Sequence, residues 1–170
     1  EAVAADLPEE RGYRTPGEKL ASFQIVSDVH SKSSTAGLVR IENFFNDVKV
    51  IDPDSAGIFV SGDITDTGAV AEYENLFALW DRVLGSQSDV KIPFFPAIGN
   101  HEFKPDATIE GYGDYATKQA RFIYYLNQYL EAADKEQITN GKHYYDLWVG
   151  EYHFIFLASE VSGTNAYISD

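Results

Sequence analysis

One short stretch decides the fold: residues 57–66 have the sequence GIFVSGDITD. The first half is an unbroken apolar run of branched and aromatic residues, a pattern typical of a strand buried within a sheet. The second half is polar, and it contains Asp63 and Asp66. Because ligands gather at the carboxyl ends of parallel strands, we expect these two carboxylates to face a binding crevice.

The same pattern of an apolar run followed by polar residues occurs once before this stretch and once after it. We predict strands over residues 22–28 and 92–100, each ending in such a cluster. The clusters contain Asp28 and His30 in the first case and Asn100, His101 and Glu102 in the second. All three polar clusters are therefore expected at one edge of one sheet.

Helical patterns separate the apolar runs. Apolar residues recur at three- and four-residue steps over residues 38–48, 70–84 and 122–130, which predicts an amphipathic helix in each range. The aromatic segment 143–159, broken at Gly150, predicts two strands joined by a tight turn. Strands that alternate with helices predict an α/β fold with a largely parallel sheet.

Composition limits the classes of function. The 170 residues include 27 Asp and Glu against 13 Lys and Arg, which gives a formal net charge of −14, and there is no Cys. The negative field argues against broad nucleic-acid binding, and the lack of Cys excludes disulfides, thiolate nucleophiles and Cys-based zinc sites. No apolar run reaches the length of about 18 residues that a membrane span needs. The Met-less, Cys-free, acidic chain slightly favours an exported bacterial protein.

The polar clusters offer oxygen and imidazole donors without sulfur. Such donors suit divalent Mn, Fe, Zn or Ni, and they do not decide among these ions. Bound cations would turn an acidic crevice into a local receptor for anions. For Asp66 an alternative remains, because it could cap the helix that begins near Ala69.

Together the three clusters resemble the signature blocks of the calcineurin-like metallophosphoesterases. The blocks are Asp-x-His at 28–30, Gly-Asp-x-x-Asp at 62–66 and Gly-Asn-His-Glu at 99–102. The resemblance extends from Phe23 to about Ser159. It implies a four-layer αββα sandwich with two divalent metal ions, at which a metal-bridged hydroxide hydrolyses a small phosphate mono- or diester.

The resemblance also assigns roles to single residues. It implies that Asp28 and His30 bind the first metal, that Asp63 bridges both metals, and that Asn100 binds the second.

Three further residues would act around these ligands. His101 would approach the phosphate or the leaving-group oxygen as a general acid, and Glu102 would orient His101. Asp66 would contact the metal ligands without binding a metal itself.

The family pattern continues with a lone His and a Gly-His-x-His block, and neither is in this chain. The other two histidines, His143 and His153, are expected to be surface or strand residues. We therefore expect residues 1–20 to be a linker or surface arm and residues 21–170 to be the N-terminal part of a metallophosphoesterase domain. The remaining ligands would lie beyond Asp170, and the isolated fragment would have little activity. The alternative is a non-catalytic binding or scaffold relative with an incomplete metal site.

Two subclasses are disfavoured. Protein Ser/Thr phosphatases carry an Arg soon after the second block, where this chain has Thr67, Gly68 and Ala69. Purple acid phosphatases have Tyr at the position of Asp66. The substrate and the oligomeric state stay open.

Overall fold

The computed structural model describes residues 21–104, 113–158, 160–162 and 165–167, so the arm predicted over residues 1–20 lies outside the described part. Three strands form a parallel sheet in the order β1-β2-β3. They are β1 (Gln24–Val26), β2 (Ile58–Val60) and β3 (Phe94–Pro96). The register pairs Val26 with Val60 and Val60 with Pro96, so the three strands end level. Level carboxyl ends bring the three polar clusters to one edge of the sheet.

Three helices follow the strands in turn. They are α1 (Val39–Ile51), α2 (Val70–Leu84) and α3 (Tyr115–Ala132). The ring of Phe94 in β3 lies 6.0 Å from the Phe45 ring of α1 and 5.0 Å from the Tyr129 ring of α3, between ring centroids. These helices therefore pack on the sheet face that Phe94 presents.

An antiparallel hairpin covers part of the opposite face. It consists of β4 (Tyr145–Val149) and β5 (Tyr152–Phe156), with Gly150 in left-handed conformation at the turn. Because side chains alternate along a strand, Phe59 points away from the helices. Its ring stacks on Phe154 at 4.1 Å, and the Tyr145 hydroxyl donates to the Pro96 carbonyl at 3.0 Å.

Mixed α/β architecture with a parallel sheet is thus confirmed. Farther along the chain, β6 (Glu160–Ser162) pairs with β7 (Asn165–Tyr167). Within the described ranges no helix combines the length and the apolar character needed to cross a bilayer.

Two predictions need correction. Helix α3 begins at Tyr115, well before the predicted apolar range, because the Asp114 carboxylate accepts a hydrogen bond from the Thr117 amide and caps a polar first turn. His143 is neither part of a strand nor exposed. It lies in the segment that precedes β4, its side chain is buried, and its Nδ1 is 2.7 Å from Gln119 Nε2. His153 does lie in a strand, β5, as predicted.

Candidate metal centre

The loops that follow β1 and β2 run side by side. The His30 amide donates to the Asp63 carbonyl at 3.0 Å, and the Ser31 amide donates to the Ile64 carbonyl at 2.9 Å. An isolated parallel bridge between Ser31 and Thr65 continues this pairing beyond the strands. Backbone hydrogen bonds therefore fix the first two polar clusters relative to each other.

Three site residues adopt a backbone conformation that side chains disfavour. The φ angles of Asp28, His30 and Asp63 are 56°, 47° and 52°. Left-handed backbone costs roughly 1–2 kcal/mol per residue for ordinary amino acids, and such strain is concentrated at functional sites. The turn out of the sheet at these positions explains why β1 and β2 are shorter than their apolar runs.

The third cluster approaches Asp63 through a glycine. A Cβ atom on Gly99 would lie 2.1 Å from Asp63 Oδ1, which no side chain could accommodate without a shift. The same Oδ1 accepts a hydrogen bond from the His101 amide at 3.0 Å. Asn100, between Gly99 and His101 in the chain, is exposed at this edge.

Three donors converge where the clusters meet. His30, Asp63 and His101 each offer one ligand atom, and these atoms all lie within 4.8 Å of one another. The His30 and His101 ring centroids are 4.3 Å apart. His30 Nδ1 is buried and has no hydrogen-bond partner within the part of the chain that the structure describes. A buried ring nitrogen that makes no hydrogen bond, beside a carboxylate and a second imidazole, fits a divalent cation.

Asp28 lies at the open side of this group. Its Oδ1 is 3.5 Å from His30 Nε2, and its side chain is 64% exposed. A hydrogen bond from the Ser27 hydroxyl lowers the pKa of the Asp28 carboxyl below its ordinary value. Asp28 is therefore an anionic oxygen donor at neutral pH.

Asp66 contacts both histidines. Its backbone carbonyl is 2.7 Å from His101 Nδ1, and its carboxylate lies 3.6 Å from His30 Nδ1 and 3.4 Å from Lys32 Nζ. A carbonyl oxygen only accepts hydrogen bonds, so His101 Nδ1 carries a proton. In the neutral ring Nε2 is then the nitrogen without a proton. Asp66 thus fixes the tautomer of His101.

Asp66 does not cap α2, so that alternative is wrong. The helix begins at Val70, and the carboxylate of Glu72 in its first turn accepts hydrogen bonds from the backbone amides that precede the helix. The Glu72 carboxylate accepts from the Thr67 amide at 2.8 Å and from the Ala69 amide at 3.3 Å. This leaves the Asp66 carboxylate available to the histidines.

Glu102 joins the second and third loops. Its carboxylate is fully buried and accepts from the Thr65 amide and hydroxyl, at 2.8 and 2.7 Å, and from the Gly99 amide at 2.7 Å. Burial raises the pKa of the Glu102 carboxyl, against the opposing effect of these hydrogen bonds. Both carboxylate oxygens of Glu102 accept hydrogen bonds from Thr65 or Gly99. The His101 ring, which was expected to contact Glu102, instead bonds to the Asp66 carbonyl.

Sequence reasoning missed two cations of α3 that hold the same loops. Buried Lys118 donates through Nζ to the carbonyls of Phe103 and Lys104, at 3.0 and 2.8 Å. Arg121 donates through Nη1 to the Gly68 carbonyl at 2.5 Å. The signal was present in the spacing, because cations three residues apart share the helix face that meets the sheet edge.

Comparison with known proteins agrees with the motifs. The family model for calcineurin-like phosphoesterases matches residues 22–163, a range that contains all three polar clusters. No curated protein matches the chain.

Proposed function

The chain belongs to the calcineurin-like phosphoesterase family, and on this basis we propose that it hydrolyses a small phosphate mono- or diester at a two-metal centre. The observation that carries the proposal is the convergence of His30, Asp63 and His101 within 4.8 Å, which brings two proposed metal ligands next to the imidazole proposed as general acid. Bound divalent cations would neutralise charge on the phosphoryl oxygens and acidify an attacking water. Their identity, among Mn, Fe, Zn and Ni, stays open.

The proposed ligands come from all three clusters. Asp28 and His30 would hold the first metal, Asp63 would serve both metals, and Asn100 would hold the second. The lowered pKa of Asp28 and the lack of a hydrogen bond at His30 Nδ1 within the described residues support these roles. The contact of Asp63 with the His101 amide supports a carboxylate held between the two sides of the centre.

His101 is the proposed general acid. With Nδ1–H bonded to the Asp66 carbonyl, donation to a leaving-group oxygen requires the doubly protonated ring, whose Nε2–H gives up its proton while Nδ1–H stays on the carbonyl. Asp66 orients the His101 ring through its carbonyl. Glu102 holds the loops after β2 and β3 together by accepting from the Thr65 and Gly99 amides.

Within the described residues, the proposed donors are too few to complete the coordination of two metal ions. We propose that donors outside the described residues complete it, and that residues 21–170 form the N-terminal part of a four-layer αββα domain. The largely exposed side chains of Ile25, Ile155 and Leu157, on the hairpin side of the sheet, support a further layer there.

Asp63→Asn in the full-length protein tests the function. With Mn²⁺ added, we expect kcat/KM for 4-nitrophenyl phosphate or bis(4-nitrophenyl) phosphate to fall by more than about 100-fold, since even residues behind a metal ligand cost roughly 10–100-fold. The matched control is Asp146→Asn, because Asp146 pairs with His153 outside the site. Unchanged turnover in Asp63→Asn would refute the proposal, and the preferred ester separates phosphatase from phosphodiesterase.

Metal content separates this proposal from the scaffold alternative. Elemental analysis of the full-length protein should find about two divalent ions per chain, and Asp63→Asn should lose most of them. A protein that binds no metal and hydrolyses neither ester would instead be a binding or scaffold relative.

A further inference from the structure

A cavity of about 600 Å³ opens beside the candidate metal centre. Asp28 and His30 belong to its lining, so the cavity and the centre share side chains. A volume of this size falls in the usual range for small-molecule sites, about 300–1,000 Å³, and exceeds what a bare phosphate group needs. The cavity therefore has room for the part of a substrate that lies beyond the reacting phosphate.

The rest of the lining combines apolar side chains with cations. Ile41 and Phe44 of α1 supply apolar surface, and Lys32 and Arg40 supply positive charge. In a chain with a net charge of −14, two cations in the lining of one cavity are a local exception to the negative surface.

The two cations differ in what they already contact. Lys32 Nζ lies 3.4 Å from the Asp66 carboxylate, so its charge is partly matched. Arg40 forms no ion pair with any acid in the described ranges, and Glu42 on the same helix is paired with Arg82 at 3.0 Å. The Arg40 guanidinium is thus available to an anion, and its planar fork suits a carboxylate or a phosphate.

We propose that this cavity binds the leaving group of the phosphate ester, and that the leaving group is an apolar body with a second negative charge, a carboxylate or a phosphate, recognised by Arg40. The inference rests on the proposed function, because Asp28 and His30 link the cavity to the centre. Ile41 and Phe44 pack on the apolar body, and Arg40 holds the charge.

The kinetic test compares phenyl phosphate with 4-carboxyphenyl phosphate and 1,4-phenylene bisphosphate. Because Arg40→Gln removes a hydrogen bond between two charged groups, it should lower kcat/KM for a charged ester by about 10–100-fold more than for phenyl phosphate. Arg40→Lys should retain part of the preference. Lys142→Gln makes the same charge change at an exposed loop position and should leave all three values unchanged. Equal losses for all esters in Arg40→Gln would overturn the proposal.

Binding separates this inference from the proposed function. Titration calorimetry with phenylphosphonate, 4-carboxyphenylphosphonate and 1,4-phenylenebisphosphonate needs no turnover. If none of the esters is hydrolysed but a charged phosphonate binds more tightly than phenylphosphonate, and Arg40→Gln removes that difference, the cavity assignment stands while the catalytic function fails. The tighter of the two charged ligands identifies carboxylate or phosphate as the recognised group. If neither charged ligand binds more tightly than phenylphosphonate, the cavity does not recognise a second charge.

Discussion

Three residues that follow β1 and β2 have a backbone conformation that is unfavourable for any residue with a side chain. Asp28, His30 and Asp63 each have positive φ, and the hydrogen bonds between the two loops keep them there. The sequence predicted that these residues would meet at one edge of the sheet, because residue type and position after a strand are visible in it. It could not predict the turn of the backbone, since Asp and His adopt positive φ more often than other residues but still only in a small minority of cases.

Gly99 is the residue on which the third cluster depends. In Gly99→Ala the new Cβ would meet Asp63 Oδ1 and the Asp63 amide, so we expect a loss of about 1–3 kcal/mol in the free energy of unfolding and a large loss of Mn²⁺ affinity. Urea unfolding and a Mn²⁺ titration followed by electron paramagnetic resonance measure the two effects.

Gly150→Ala is the matched control for Gly99. Its added Cβ meets no atom of the described residues within 4 Å, although the left-handed backbone there should still cost roughly 1–2 kcal/mol. We expect lower stability with unaltered Mn²⁺ affinity. Normal Mn²⁺ affinity in Gly99→Ala would show that the close approach to Asp63 is not needed for the metal site.

Helix α3 has two parts with different physical roles. Its second half carries the apolar stripe from Phe122 to Leu130 that predicted the helix, and this half packs in the core. Its first half carries Lys118 and Arg121, which bind loop carbonyls rather than apolar neighbours. The periodicity of apolar residues indicates a buried apolar face but does not indicate a buried cation. The pattern therefore did not predict the first half of α3.

Lys118→Met tests whether α3 positions the site. The carbonyls of Phe103 and Lys104 would lose their donor, and we expect about 1–3 kcal/mol less stability together with weaker Mn²⁺ binding. Lys118→Arg, which can still donate to both carbonyls, should restore much of the affinity.

The control for Lys118 is a lysine that makes the same kind of contact elsewhere. Lys135 donates to the Trp148 carbonyl at 2.7 Å, and Lys135→Met should leave Mn²⁺ binding unchanged. A Lys118→Met variant that is less stable yet binds Mn²⁺ normally would assign Lys118 to the fold alone.

Across the whole molecule, the sheet separates two kinds of packing. The helices cover the Phe94 face, and the aromatic hairpin covers the Phe59 face. Alternation of strands and helices was sufficient to predict the parallel sheet. The contacts of the hairpin with the sheet could not be predicted, because they depend on which aromatic rings meet across long distances in sequence.

The net charge of −14 on residues 1–170 should favour uptake of divalent cations at the candidate metal centre. Salt screens this field, since the Debye length falls from about 10 Å at 0.1 M to about 3 Å at 1 M. We expect the Kd for Mn²⁺, read from the resonance of the free ion, to rise roughly fivefold between these salt concentrations.

A double variant isolates the contribution of distant charge to this salt effect. Glu136→Gln with Glu151→Gln removes two exposed acids and changes the net charge from −14 to −12, with every proposed ligand intact. Because long-range attraction acts only where screening is weak, this variant should bind Mn²⁺ less tightly than the parent at 0.1 M NaCl and equally at 1 M. A Kd that is independent of salt in both proteins would mean that the ligand atoms alone set the metal affinity, with no contribution from the field of the molecule.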